Sequence, residues 1–186
     1  MPTMPTAVRE ARGAYDLDRT HSTVQFAVRH LAVSTYRGSF GDIEARLTVE
    51  NGAAELEARA LAESVSIVEP PEFREHVVRG HDFFAADDHP LITFQSSTSV
   101  FDDDGRATVT GQLTIRGVSR TVTAQGTFSP PTEDPFGGER VGLELAATID
   151  RKDWGLDWQA ELPSGGDALG WSVELSAHLE FTRRPR

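Results

Sequence analysis

Residues 171–181 read WSVELSAHLEF. Trp171, Val173, Leu175, Ala177, Leu179 and Phe181 alternate with Ser172, Glu174, Ser176, His178 and Glu180. A period of two places the apolar set on one side of an extended chain, the mark of a strand buried on one face. The same rhythm extends outward from this stretch. Val24, Phe26 and Val28 carry it before His30, and Ile43, Ala45, Leu47 and Val49 carry it before Glu50. Ala107, Val109, Gly111, Leu113 and Ile115 repeat it, as do Val118, Val122, Ala124, Gly126 and Phe128 after a tight turn at Gly117. Val141, Leu143, Leu145, Ala147 and Ile149 repeat it again. Tyr36, Gly38 and Phe40 have the opposite parity to Ile43 and its successors, which predicts a bulge near Gly41.

Two further runs, 54–68 and 91–101, are rich in strand formers. Asn51-Gly52 and residues 102–105 read as hairpin turns, and Pro130-Pro131 with Gly137-Gly138 brackets a longer loop. Residues 70–79 alone read as helical, with prolines at the start and Gly80 at the end. The pattern predicts an all-β domain of about eight antiparallel strands with one short helix. Runs of ten residues or so exceed the strands of an average sandwich and favour a barrel. At eight strands the interior is either filled by side chains or able to hold one small ligand. Small in-facing residues (Ala45, Ala107, Gly111, Ala124, Gly126, Ala147, Ala177) leave space, and Phe26, Phe40, Phe94, Phe128 and Trp171 stand around it. Composition leaves both outcomes open.

The chain has 186 residues, no cysteine, and a net charge of −11 from 18 basic and 29 acidic side chains. Such acidity argues against nucleic acid as a partner and against electrostatic attachment to anionic lipid. Without cysteine there is no disulfide framework and no thiolate chemistry. The start lacks the apolar run of a secretory leader and no window is long enough for a membrane helix, so a cytoplasmic protein without a stable membrane anchor is expected. A periplasmic or secreted location would follow only from an incomplete start. Residues 1–13 read as a flexible tail, 14–182 as the barrel domain, and 183–186 as a C-terminal tail.

Several segments resemble the YceI family, the lipocalin-like polyisoprenoid-binding proteins. Leu17-Asp18, His21-Ser22 and the strand to His30, followed by Arg37-Gly38-Ser39-Phe40, look like its opening. Asp82-Phe83-Phe84, His89-Pro90, Ile92-Thr93-Phe94 and Ser96-Ser97 are similar to its middle segment. The hairpin from Gly111 to Arg120 and the run from Ile149 to Leu156 resemble two later motifs, in the same order. The resemblance implies an up-and-down barrel around an elongated apolar tunnel for a polyisoprenoid or other long-chain lipid. It also favours the hollow interior. Members can dimerise, so a homodimer is allowed. The family often places His-Leu in its helix, where this chain has Val77-Val78 preceded by His76.

On this reading the tunnel is lined by Val24, Phe26, Val28, His30, Phe40, Phe84, Phe94, Leu113 and Ile115. Ala124, Gly126, Phe128, Leu145, Ile149, Trp154, Trp158 and Trp171 complete the set. His30 shares the apolar face of its strand, as a satisfied histidine near the mouth or as a polar contact for a ligand head. Trp154 and Trp158 lie in a long connection, 150–170, expected to form the lid or mouth. Phe83-Phe84 is expected to join the rim or plug the barrel end.

No metal, cofactor or catalytic site is expected. His76, His81 and His89 near Asp82, Asp87 and Asp88 lack ligand spacing. The acidic turn 102–105 lacks the remaining oxygens of a calcium loop. There is no G-x-S-x-G elbow, and Ser22 beside His21 points to the opposite face. The function predicted is binding, storage or transport of an apolar chain. A packed structural or interaction barrel, or an enzyme using His30, are the alternatives.

Overall fold

The computed structural model describes residues 10–50 and 53–185. The described residues form ten strands, all but β1 on runs read as extended in the sequence: β1 (Gly13–Leu17), β2 (Thr23–His30), β3 (Ser34–Ser39), β4 (Ile43–Glu50), β5 (Ala53–Leu61), β6 (Leu91–Phe101), β7 (Arg106–Ile115), β8 (Val118–Glu133), β9 (Glu139–Asp150) and β10 (Leu169–Arg183). Every pairing is antiparallel, and each strand from β4 to β10 pairs with the next. β10 then pairs with β2 over its first half and with β1 over its last residues, while β3 pairs with β2 and β4 with β1. Because β1–β2 and β3–β4 each continue one line, the circumference has eight positions. The barrel is up-and-down and closed, which removes its edges apart from part of β3.

The two interruptions have local causes. Between β3 and β4, Phe40 forms an isolated bridge to Val65, and Gly41 N–H donates to the Ser64 carbonyl at 3.0 Å. The parity change predicted at Gly41 is this break. Between β1 and β2, Asp18 N–H donates to the Glu180 carbonyl at 2.8 Å and the Ser22 hydroxyl accepts from Glu180 N–H at 2.9 Å. The chain skips a register there while staying on β10.

Prolines did not end β8 as expected. It runs through Pro130 and Pro131 to Glu133, because an irregularity in the β8–β9 register between Ser129 and Thr132 takes up the missing donors. The connection shrinks to 134–138, where Asp134 accepts from Phe136 N–H and Gly138 N–H, both at 2.9 Å. The expected run 54–68 is β5 followed by a 3₁₀ turn (Ala62–Ser64) and an irregular segment. The helix α1 (Pro71–Arg79) begins at a proline and stops at Gly80. The Asn51-Gly52 turn and residues 1–9 of the predicted tail lie outside the described residues. Within the supposed tails, Ala11 is fully buried, Arg183 stands in register with Tyr15 of β1, and Arg184 N–H donates to the Ala14 carbonyl at 2.9 Å.

Packing divides the barrel lengthwise. One end is filled by Tyr15, Leu47, Phe101, Val109, Phe128, Leu143 and Phe181, with the Phe101 and Phe128 rings 5.1 Å apart. The Tyr15 hydroxyl donates to Glu139 at 2.5 Å, and burial with that carboxylate pushes its phenol up. The other end is roofed by α1 and residues 80–90 on one side, where Val77, Val78, Phe83 and Ala86 cluster. On the other side Trp154 and Leu156 cover Leu113, Ile115 and Ile149. No helix among the described residues is long and apolar enough to cross a membrane.

Candidate functional site

Between the packed end and the roof lies a cavity of about 1010 Å³. That lies at the upper limit of ordinary small-molecule pockets, which reach about 1,000 Å³. Its space comes from small in-facing residues: Ala45, Ala58, Ala60, Ala124, Ala147 and Ala177 all line it. The floor is formed by Leu17, Leu56, Leu145 and Leu179, which also belong to the packed end. The expected tunnel is therefore a blind pocket, closed at the bottom by core side chains.

A file of aromatic rings runs inward from the opening. Tyr36 and Phe26 are 6.0 Å apart, Phe26 and Phe40 5.7 Å, and Phe40 and Phe84 5.9 Å, each pair tilted or edge-on. Phe26 lies over Gly38, its register partner on β3; a Cβ there would sit 2.5 Å from the ring. The Arg37-Gly38-Ser39-Phe40 motif thus seats the Phe26 ring.

The opening itself is set by a pairing that stops. Ser66 N–H donates to the Ser39 carbonyl at 2.8 Å, and Ser39 N–H donates to the Ser66 hydroxyl at 2.9 Å. Beyond those bonds β3 and residues 67–70 separate, and Ser34, Tyr36, Arg37, Val68, Pro70 and Phe73 line the gap. The mouth is here, not at 150–170.

That long connection is latched down. Trp154 is 2% exposed and its Nε1 donates to the Leu113 carbonyl at 3.0 Å. Trp158 stacks on Phe83 at 5.5 Å, and its N–H donates to the Asp82 carbonyl. Arg151, 3% exposed, donates Nε to the Gly170 carbonyl at 2.8 Å, Nη2 to Leu169 at 3.2 Å, and Nη1 to Leu156. Its guanidinium lies 4.1 Å from the Trp171 ring centre and reaches the cavity wall. Burial pulls its pKa down from the ordinary guanidinium range.

Twelve of the seventeen residues expected to line the interior do so: Val24, Phe26, Val28, His30, Phe40, Phe84, Phe94, Leu113, Ile115, Ala124, Leu145 and Ile149. His30 stands exposed on the rim, and Phe83 and Phe84 plug the roof. Five expected residues lie elsewhere. Phe128 belongs to the packed end, and Gly126 is pressed against β9, where a Cβ would fall 1.8 Å from the Glu144 carbonyl oxygen. Trp154 and Trp158 sit behind the roof. Trp171 is turned out by the register irregularity of β10 between Leu169 and Val173, and its Nε1 donates to Asp167 at 2.7 Å. Leu56, Ala58 and Ala60 of β5 also line the cavity, and their alternation is the sequence signal for it. Residues 65–70 of the mouth have no periodicity to follow.

Polar clusters lie away from this cavity. Asp18, His21 and Glu180 bring three ligand-type groups together. Arg140 Nη1 already occupies them, 2.7 Å from Asp18 and 2.6 Å from Glu180, with Nε 2.9 Å from Asp134. The His21 ring and Arg140 hold the Asp18 carboxyl well below the usual range, and Asp18 raises His21 in turn. Among the histidines near Asp82, His76 Nε2 meets Asp82 at 2.8 Å, while Asp87 is taken by Arg79.

Comparisons with known proteins agree with this architecture. The YceI-like domain matches residues 15–181. A UPF0312 protein of Staphylococcus epidermidis is 31% identical over 170 residues, covering 90% of this chain and 96% of its own. A UPF0312 protein of Staphylococcus aureus has the same identity and coverage. Among solved structures, Burkholderia cenocepacia BcnA has a TM-score of 0.72 at 21% identity, covering 89% of this chain and 99% of that one. A polyisoprenoid binding domain from Saccharophagus degradans, implicated in plant cell wall breakdown, has a TM-score of 0.68 at 16% identity over 91% of this chain and 98% of that one. With the four motifs in order on a closed barrel and the match running from β1 to β10, the chain belongs to the YceI-like family.

Proposed function

We propose that this protein binds an apolar chain inside the barrel and stores or carries it. The guest would be a polyisoprenoid such as a quinone or prenol lipid, or a fatty-acyl derivative. The cavity of about 1010 Å³ carries this reading. A void of that size counts against a packed structural barrel. The fold shared with a polyisoprenoid binding domain supports it further.

The mechanism is desolvation. Each buried methylene contributes about 0.8 kcal/mol, so an isoprene unit contributes up to roughly 4 kcal/mol. Four units give up to about 16 kcal/mol, of which roughly half survives the loss of motion on association. The remainder, about 8 kcal/mol, corresponds to micromolar binding without any head-group contact. The floor is apolar, while His30, Ser34, Thr35 and Arg37 stand along the opening. The chain therefore enters tail first and leaves its polar head at the mouth.

Native mass spectrometry of gently purified protein is expected to show co-purifying lipid. Added geranylgeraniol should raise the melting temperature with micromolar affinity. A protein that carries no lipid and gains no stability from the prenol would overturn the reading. Turnover of a bound ester or quinone, lost in His30→Ala, would instead favour an enzyme.

A further inference from the structure

The rim of the cavity is apolar where a water-facing surface has no need to be. Among the described residues eight large hydrophobic side chains are exposed; three of them (Tyr36, Val68 and Phe73) line the mouth of the cavity, and two more (Leu31 and Val33) stand on the β2–β3 tip between the lining residues His30 and Ser34. Val33 is 82% exposed and Val68 69%. They lie on opposite sides of the gap: His30 and Ser34, which bracket the β2–β3 tip, line the cavity, and so do Val68 and Phe73.

The tip is unusual in its chemistry as well as its exposure. Leu31 and Ala32 both have left-handed backbones, with φ of 52° and 54°. Asn and Gly are the residues that take such positions readily, and leucine and alanine do so at a conformational cost. An apolar tip is kept despite that cost. It is also held in place: Leu31 N–H donates to the Ala168 carbonyl at 2.7 Å, and Arg29 Nη2 donates to the Ala32 carbonyl at 2.8 Å. The collar is a braced feature of the fold.

We propose that this collar seats on the surface of a lipid bilayer, so that a lipid chain passes between membrane and cavity without crossing water. The inference rests on the reading of the cavity as a site for a lipid chain. A continuous apolar path explains why the exposed side chains surround the mouth, since a chain drawn through water would lose the burial that drives its binding. Charge selects the kind of surface. With a net charge of −11 the protein is not drawn to anionic headgroups, so docking depends on shallow insertion of Val33, Val68 and their neighbours into a neutral bilayer.

The test uses the full chain, phosphatidylcholine vesicles, and the variant L31D/V33D, whose two positions stand on the exposed β2–β3 tip and do not line the cavity. Both positions are exposed and outside regular elements, and circular dichroism and melting temperature check that the fold is kept. The wild type is expected to float with the vesicles, with little change at about 0.5 M salt, where electrostatic attachment would be screened. The variant is expected to partition about a hundredfold more weakly, roughly tenfold for each side chain kept out of the bilayer. Transfer of a fluorescent prenol between vesicles should slow in step. Equal flotation of variant and wild type, flotation by neither, or flotation only with anionic vesicles at low salt would overturn the proposal. So would a wild-type dimer that the variant dissolves while vesicle binding is unchanged, because the collar would then be covered by a second copy. Geranylgeraniol binding, measured without vesicles, is expected to be equal in the two proteins. Its absence from both speaks against the cavity reading, whereas flotation speaks to the collar alone.

Discussion

Ala124→Phe places a ring on the floor of the cavity, and its effects on stability and on binding have opposite signs. Ala124 lies on β8 where the packed end meets the hollow one: its register partner Val109 is fully buried, while Ala124 itself lines the cavity. The added ring takes roughly 100 Å³, about a tenth of the space. Filling a void contributes about 24 cal/mol per Å³, so the ligand-free protein should gain about 2 kcal/mol. In a domain of this size that raises the melting temperature by about 4–8 °C. The same ring displaces about one isoprene unit from a chain that reaches the floor, a loss of up to roughly 4 kcal/mol. The longest prenol bound tightly should therefore shorten by one unit, while shorter prenols bind as before. Urea denaturation of lipid-free protein and a titration series of prenols measure the two effects. Reduced stability would mean that side chains already fill the space beside Ala124. An unchanged length profile would mean that the bound chain never reaches the floor.

Three other outcomes follow from the geometry. Gly126→Ala forces a Cβ against the Glu144 carbonyl, and chemical denaturation should report a loss of about 2 kcal/mol or more; equal stability would refute the close approach of β8 and β9 at this position. Trp154→Phe removes the Nε1 bond to Leu113 and part of the roof packing, with an expected loss of about 2 kcal/mol by the same assay. The cluster at Arg140 makes stability depend on pH in two directions. Asp18 has a lowered pKa, so its contribution is complete above about pH 4 and lost as the pH falls. His21 has a raised pKa, so its contribution is complete below about pH 6.5 and fades as the pH rises through the raised value. Arg140→Ala should lower the melting temperature near neutral pH, and the difference from wild type should narrow below about pH 3 as the carboxylates protonate. A pH-independent difference would remove the ion cluster as its cause.

The strands were readable because each buries one face, which leaves a period of two in the sequence. Even the break at Gly41 left its trace in the parity change from Phe40 to Ile43. The companion break between Leu17 and Ser22 left a trace too short to notice, since β1 offers only five residues. Whether the interior was hollow could not be read from residue types: the answer depends on how the volumes at Ala45, Ala58, Ala147 and Ala177 add across strands distant in sequence. Gly126 and Trp171 show the limit of parity as a guide. Gly126 keeps the in-facing phase, yet its neighbour strand comes too close for any side chain. Trp171 keeps it as well, and an irregularity in β10 turns it outward, where Arg151 and Lys152 cover its ring. The mouth depends on residues 65–70 and on a hairpin tip, segments held by single hydrogen bonds and by no repeating pattern.

The lengthwise division between a filled base and a hollow top separates two jobs that most small proteins must perform with one set of side chains. Phe101, Phe128, Leu143 and Phe181 anchor the cylinder below, while Ala45, Ala58, Ala147 and Ala177 leave the walls above with fewer side-chain contacts across the interior. Amide exchange should accordingly be slowest toward the foot of the staves. Substitutions higher up can reshape the chamber for a different passenger while the foundation keeps the vessel standing, a freedom through which relatives could diverge in cargo without losing their common shape.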